Sequence, residues 1–131
     1  MFIDASALTR ILANELDRPD LLARIERAQT RLTSPLAVWE TTIAIARILG
    51  IAIPEATDAV EWMLAIAEID IIAIAPEKRA IAIGAFDRFG KARHPAALNF
   101  GDYFAYACAR HARVALLFKG VDFSQTDIAP A

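Results

Sequence analysis

The chain has 131 residues, of which 56% are hydrophobic, so it is of single-domain size and can bury a core without disulfides or a structural metal. Its formal net charge of -2 argues against the whole-surface capture of nucleic acid seen in strongly basic domains. No apolar run reaches the roughly 18 to 20 residues of a membrane span, because Arg47, Gly50 and Pro54 interrupt the longest stretch.

Met1-Phe2-Ile3 reads as a short buried strand that delivers Asp4 to the start of a helix, whose apolar residues Leu8, Ile11 and Leu12 recur at helical spacing. Asp4 or Ser6 can cap that helix, and a carboxylate at this junction is also a common place for chemistry in α/β proteins. No basic run precedes the first apolar residues, so no secretory leader is expected and cytoplasmic residence is the default. Pro19 opens a second helix with the stripe Leu21, Leu22, Ile25 and Ala28. Arg31 to Pro35 is a weak strand signal, and Pro35 then begins a helix that is apolar nearly all round and runs to about Gly50.

The one acid of that helix is Glu40, about one turn inside, where the macrodipole favours it and burial without a partner does not. Arg47 is a candidate counter-ion. Pro54 starts a further helix with Ala56, Val60, Met63 and Leu64 on one face. Asp70 to Ala75 is the clearest buried strand, stopped by Pro76. Ala82, Ile83, Phe86 and Phe89 then trace a helix closed by Gly90. After a loop from Lys91 to Leu98 comes a helix from Asn99 to about His111, then the strand Val114 to Phe118 and a Lys119-Gly120 turn. Thr126-Asp127-Ile128 is expected to add a short edge strand. Cys108, alone and among apolar helical neighbours, is expected to be an inert core thiol.

Alternating strands and helices, with no repeat or linker, imply one α/β domain over residues 1–131 with a mainly parallel sheet of four or five strands. In such a fold Asp4, Glu40, Asp102 and Asp122 all fall at the carboxyl edge of the sheet, where sites form. Four helix caps would gather there too, so position alone does not decide between them. Two carboxylates about 5 Å apart repel by roughly 3 kcal/mol at an effective dielectric near 20, so four in a cluster call for protons or cations. Mg²⁺ or Mn²⁺ is the natural occupant of an all-oxygen site and supports attack of water on a phosphodiester. Neither His94, which precedes a proline, nor His111, at a helix end, has a second imidazole or thiol at a zinc-ligand spacing.

These residues resemble the PIN-domain nucleases, and within them the VapC-type toxins of bacterial toxin–antitoxin pairs. The resemblance covers nearly the whole chain: Phe2-Ile3-Asp4-Ala5-Ser6, Glu40 in a helix begun by Pro35, Leu98-Asn99-Phe100-Gly101-Asp102-Tyr103, and Lys119-Gly120-Val121-Asp122-Phe123 followed by Thr126-Asp127-Ile128. It implies a three-layer α/β/α fold and a metal-dependent endoribonuclease. Asp4, Glu40, Asp102 and Asp122 match the family's acidic metal-holding and catalytic positions, Ser6 and Thr126 match supporting polar positions, and Asn99 is similar to a residue beside them. Asp127 matches the last acid of the tail motif and is read as structural or peripheral. A VapB-type antitoxin is the implied inhibitory partner.

For the RNA substrate, Arg88, Lys91, Arg93, His94 and Lys119 are the expected contacts, with a solvated charged loop as the plain alternative. The apolar helices from Pro35 to Gly50 and from Pro54 to Glu68 suggest a homodimer. Two rivals remain: a phosphatase or phospho-receiver using Asp4 as nucleophile, and a non-catalytic PIN module that binds RNA or assembles with partners.

Overall fold

The computed structural model describes all 131 residues. Its centre is a parallel sheet of four short strands in the order β3-β2-β1-β4: β1 Phe2–Ile3, β2 Leu32–Thr33, β3 Asp70–Ile71 and β4 Leu116–Leu117. Phe2 stands opposite Leu32 on one side and Leu116 on the other, while Ile3 stands opposite Leu117. Successive strand residues face opposite ways. Phe2 and Leu116 therefore join one core with Phe89, Leu98, Tyr106 and Phe123, whereas Ile3 and Leu117 join a second with Leu8, Ile11, Leu21, Ile25 and Val60. The result is the expected three-layer α/β/α arrangement, with sheet between two helical layers.

The helices are α1 Ala5–Leu12, α2 Arg18–Arg27, α3 Pro35–Leu49, α4 Ile53–Ile66, α5 Lys78–Phe89 and α6 Phe100–Ala112. Their starts follow the sequence signals. Ser34 accepts the Ala37 N–H at 3.2 Å ahead of Pro35, and Glu55 accepts the Ala52 N–H at 3.1 Å ahead of α4. Gly50 closes α3 in the left-handed region at φ 64°, where a β-carbon is disfavoured. α3 packs against α1, α4 and α6, and Gly101 in the first turn of α6 lies next to Glu40 in the first half of α3.

Three expectations need correction. The Ile-rich run Asp70–Ala75 is not the buried strand expected. Only Asp70 and Ile71 pair, at the sheet edge beside β2, and Ile71 is 52% exposed, although Ile72 and Ile74 still reach the core. A continuous apolar run signals burial on both faces, but here β3 has one neighbour and the chain beyond Ile72 leaves the sheet, its Ala73 carbonyl accepting from the buried Lys78 ammonium.

The tail strand is also displaced. Phe123–Gln125 forms a short 3-10 turn, and pairing with β4 occurs later, through a single parallel bridge between Leu116 and Pro130. Thr126 explains the shift, since its hydroxyl donates to the Phe123 carbonyl at 2.8 Å and accepts the Ile128 N–H at 3.3 Å, holding the segment as a turn. Third, Arg47 is exposed and does not pair with Glu40.

Cys108 is fully buried, and burial pushes its thiol up, which keeps it protonated and inert. Apolar side chains remain uncovered on α3 and α4, among them Trp39, Ile43, Trp62 and Ile66. No helix is long and apolar enough to cross a membrane.

Candidate active site

Because all four strands are parallel, their carboxyl ends share one edge, where β1, an interior strand, lies beside the end strand β4. A cleft of about 500 Å³ opens there, lined by Asp4, Ser6, Glu40, Asn99 and Asp102, with Arg10 and Lys119 at its wall. The sheet edge thus gathers residues spread over more than a hundred positions of sequence.

Asp4 follows β1 directly and is itself the N-cap of α1, where its Oδ2 accepts the Ser6 N–H at 2.9 Å. Ser6 does not cap the helix. Its hydroxyl instead donates to the same Oδ2 at 2.5 Å and accepts the Lys119 N–H at 3.0 Å, tying the end of β1 to the loop after β4. Asp4 is only 4% exposed, and burial pushes its carboxyl above the usual range against the opposing pull of these Ser6 bonds.

Asn99 and Asp102 form a reciprocal capping box at the start of α6. Asn99 Oδ1 accepts from the Gly101 and Asp102 N–H groups at 2.9 and 3.3 Å, and Asp102 Oδ2 accepts the Asn99 N–H at 2.7 Å. The Asp102 carboxyl is nonetheless pushed up to about 7, chiefly by burial, which outweighs the Asn99 bond, and further by the charges of Asp4, Asp122 and Glu40.

Glu40 projects from α3 without accepting a hydrogen bond, and burial together with the Asp4 charge raises its carboxyl. Opposite it lies Gly101, where a β-carbon would stand 2.5 Å from Oε2 and nearer still to Oε1. Asp122 occupies the exposed loop after β4. It lies off the cleft wall but near enough for its charge to bear on Asp102.

The other three predicted acids are therefore all brought within electrostatic reach of Asp102, and Asp4 within reach of Glu40. Each ion pair in the molecule has its acid elsewhere, so none of the four is neutralised by a cation. No three carboxylates, imidazoles or thiols surround a single point closely enough to enclose an ion, and the acids are spread across the cleft.

The remaining predicted residues divide. Lys119 is at the cleft, whereas Thr126 acts at one remove by shaping the turn that follows Asp122. Arg88 pairs with Asp127 at 2.9 Å, and Tyr106 donates to the same carboxylate at 2.6 Å, so Asp127 anchors the tail to α5 and α6. Arg93 pairs with Asp87 at 3.0 Å over the Phe86 ring, and His94 Nδ1 accepts the Ala96 N–H at 3.1 Å with its ring edge-on to Phe89. Lys91 is exposed and also outside the cleft.

Sequence reasoning missed Arg10 and Gly101. Arg10 had a usable signal, since it lies four residues after Ser6 and so on the same face of α1. Gly101 had none beyond its place inside the Asn99–Asp102 motif, because its role depends on a residue of another helix.

Comparison with known proteins agrees with this geometry. Residues 1–129 match the PIN domain family. Ribonuclease VapC30 of Mycobacterium tuberculosis is 38% identical over 129 residues, covering 98% of this chain and 96% of that protein. A ribonuclease VapC of Mycolicibacterium smegmatis is 37% identical over 129 residues, covering 98% of each chain. Among solved structures, Mycobacterium tuberculosis VapC20, described as a toxin that cleaves the sarcin-ricin loop, superposes with a TM-score of 0.77 over 99% of this chain and 97% of that one. At 16% identity that likeness concerns the fold alone. Matched nearly end to end by sequence and by fold, the chain belongs to the PIN domain family and, within it, to the VapC group.

Proposed function

We propose that this chain is a Mg²⁺- or Mn²⁺-dependent endoribonuclease, the toxin of a toxin–antitoxin pair, with Asp4, Glu40, Asp102 and Asp122 as the residues that hold the ion or ions. The carrying observation is the convergence of Asp4, Glu40 and Asp102 on one cleft at the carboxyl edge of the sheet with no cation paired to any of them, where burial and the neighbouring charges also raise the Asp102 carboxyl to about 7. An all-carboxylate donor set of this kind fits a hard divalent cation and lacks the nitrogen or sulfur ligands that favour zinc. When bound, such an ion supplies a Lewis acid that makes water nucleophilic near neutral pH and offsets charge on the phosphodiester.

The chain's own contribution is orientation. Ser6 fixes Asp4 Oδ2 from two directions, and the Asn99 backbone fixes Asp102 Oδ2, leaving Oδ1 unbonded within the chain. Gly101 leaves room for the Glu40 carboxylate at the cleft. Ionised and unpaired, these acids repel RNA until cations bind, so metal promotes docking as well as chemistry. The VapC names of the relatives support RNA as substrate and a VapB-type antitoxin as inhibitor. The uncovered apolar side chains of α3 and α4 support a homodimer or antitoxin contact.

The test is Mn²⁺ titration by calorimetry, paired with cleavage of total cellular RNA in Mn²⁺ and in excess EDTA. Saturable Mn²⁺ binding and EDTA-sensitive cleavage are expected. Cleavage that survives EDTA sinks the metal role. RNA binding with neither cleavage nor Mn²⁺ uptake favours the non-catalytic module.

A further inference from the structure

Two cations stand on the wall of the acidic cleft, and neither pairs with its acids. Arg10 and Lys119 line it beside Asp4, Glu40 and Asp102. Both head groups are instead drawn to Asp17, the N-cap residue of α2: Lys119 Nζ lies 2.7 Å from Oδ2, and Arg10 Nε lies 3.6 Å from the same oxygen. Arg10 Nη1 also pairs with Glu15. The Asp17 carboxylate oxygens and Arg10 Nε are shielded from solvent, while the Arg10 and Lys119 side chains remain 36% and 43% exposed.

Cations beside uncompensated acids would lower the energy by swinging onto them. Asp17 and Glu15 offer a competing anchor, so the acids keep their charge for an ion and the cations keep an open face. Lys119 is further fixed through its backbone N–H, which Ser6 accepts at 3.0 Å. Arg10 retains Nη2 without a partner, and a guanidinium fork suits phosphate oxygens. A second cleft of about 400 Å³ shares Lys119 and Gly120 with the first and carries Arg24 beside Asp17 and Asp20, both of which are paired with cations, so a strand continuing from the acids into it passes over Lys119.

We propose that Arg10 and Lys119 clamp the RNA backbone phosphate next to the scissile one, with Asp17 as the positioning residue that holds both cations off the acids. This rests on the ribonuclease reading above and adds how the site grips its substrate.

The experiment is steady-state cleavage of a single-stranded RNA oligonucleotide in Mn²⁺ at several KCl concentrations. Arg10→Gln and Lys119→Gln each should raise KM at least ~5-fold with kcat little changed, and each should reduce the salt slope by about 0.7, one phosphate contact on a single strand. Arg10→Lys, which keeps the charge, should restore the slope and serves if Arg10→Gln fails to fold. Asp17→Asn should raise the Mn²⁺ concentration for half-maximal rate, with rescue by Asp17→Glu. Unchanged KM and salt slope in both neutral variants overturn the clamp while wild-type cleavage stands, and an unchanged Mn²⁺ requirement in Asp17→Asn overturns the positioning role. A wild type that does not cleave in Mn²⁺ overturns the ribonuclease reading and the clamp with it.

Discussion

Gly101, in the first turn of α6, lies so close to the Glu40 carboxylate of α3 that a methyl group there would overlap both carboxylate oxygens. The glycine serves close approach rather than a left-handed turn. Glu40 is the flexible partner and can swing aside, so Gly101→Ala should change stability by no more than about 1 kcal/mol, helped by alanine's higher helix propensity. Displacing the carboxylate should show in function instead, with Mn²⁺ affinity and cleavage falling roughly tenfold or more. A fully active alanine variant would mean that Glu40 is not needed where it stands.

Ser6 links Asp4 to Lys119, and a hydrogen bond to a charged group is worth about 1.5–3 kcal/mol. Ser6→Ala should cost ~10–100-fold in metal affinity or activity, the usual penalty for losing a partner that orients a ligand. The Ser6 bonds pull the Asp4 carboxyl down against burial. Ser6→Ala keeps the backbone N–H bond and loses only the hydroxyl bond, which raises the carboxyl further, so the acid limb of the pH–rate profile should move to higher pH. An unmoved limb would show that Ser6 does not set the Asp4 charge.

The Asp102 carboxyl, about 7 in the fold against an ordinary value of 3.8, sets the sign of a pH effect on stability. Between those values the folded chain holds the extra proton, so this group's contribution is full at low pH and is lost as pH rises through 7. Metal-free protein should therefore lose Tm from pH 5 to pH 8, and Asp102→Asn should flatten that loss. Added Mn²⁺ should stabilise more at pH 8 than at pH 6, because the ion competes with the proton. A metal-free Tm that rises equally in both proteins would contradict the assignment.

Arg88 and Arg93 are committed to Asp127 and Asp87 in exposed pairs, which are worth about 0–1 kcal/mol. Neutralising either one should lower Tm only slightly and leave the salt dependence of RNA binding unchanged. A slope that falls in these variants would return that loop to the RNA footprint.

The order of strands and helices was legible in the sequence because proline and small polar residues mark the helix starts, and β1 and β4 are short apolar runs whose residues are buried between the two helical layers. The convergence of the acids was legible because a parallel sheet turns dispersed strand ends into one edge, although position alone does not separate them from helix caps. What the sequence obscured depends on neighbours it does not display. The isoleucines after Asp70 look the same whether a strand has one partner or two, and Thr126 reads as a strand residue until its hydroxyl is seen holding a turn. Arg93 and His94 read as a basic loop, yet Asp87 and Phe89 occupy them. Gly101 and Arg10 matter through Glu40 and Asp17, contacts that cross between elements.

The most direct measurement is the rate of RNA cleavage in Mn²⁺ by wild type and by Asp4→Asn at pH 7.5. Asparagine preserves the size of the side chain and its capping oxygen but removes the buried charge at the centre of the site. The rate should fall by more than the ~10–100-fold expected for the loss of an orienting partner, with the fold intact by circular dichroism. Cleavage by Asp4→Asn at the wild-type rate would contradict the account at its centre.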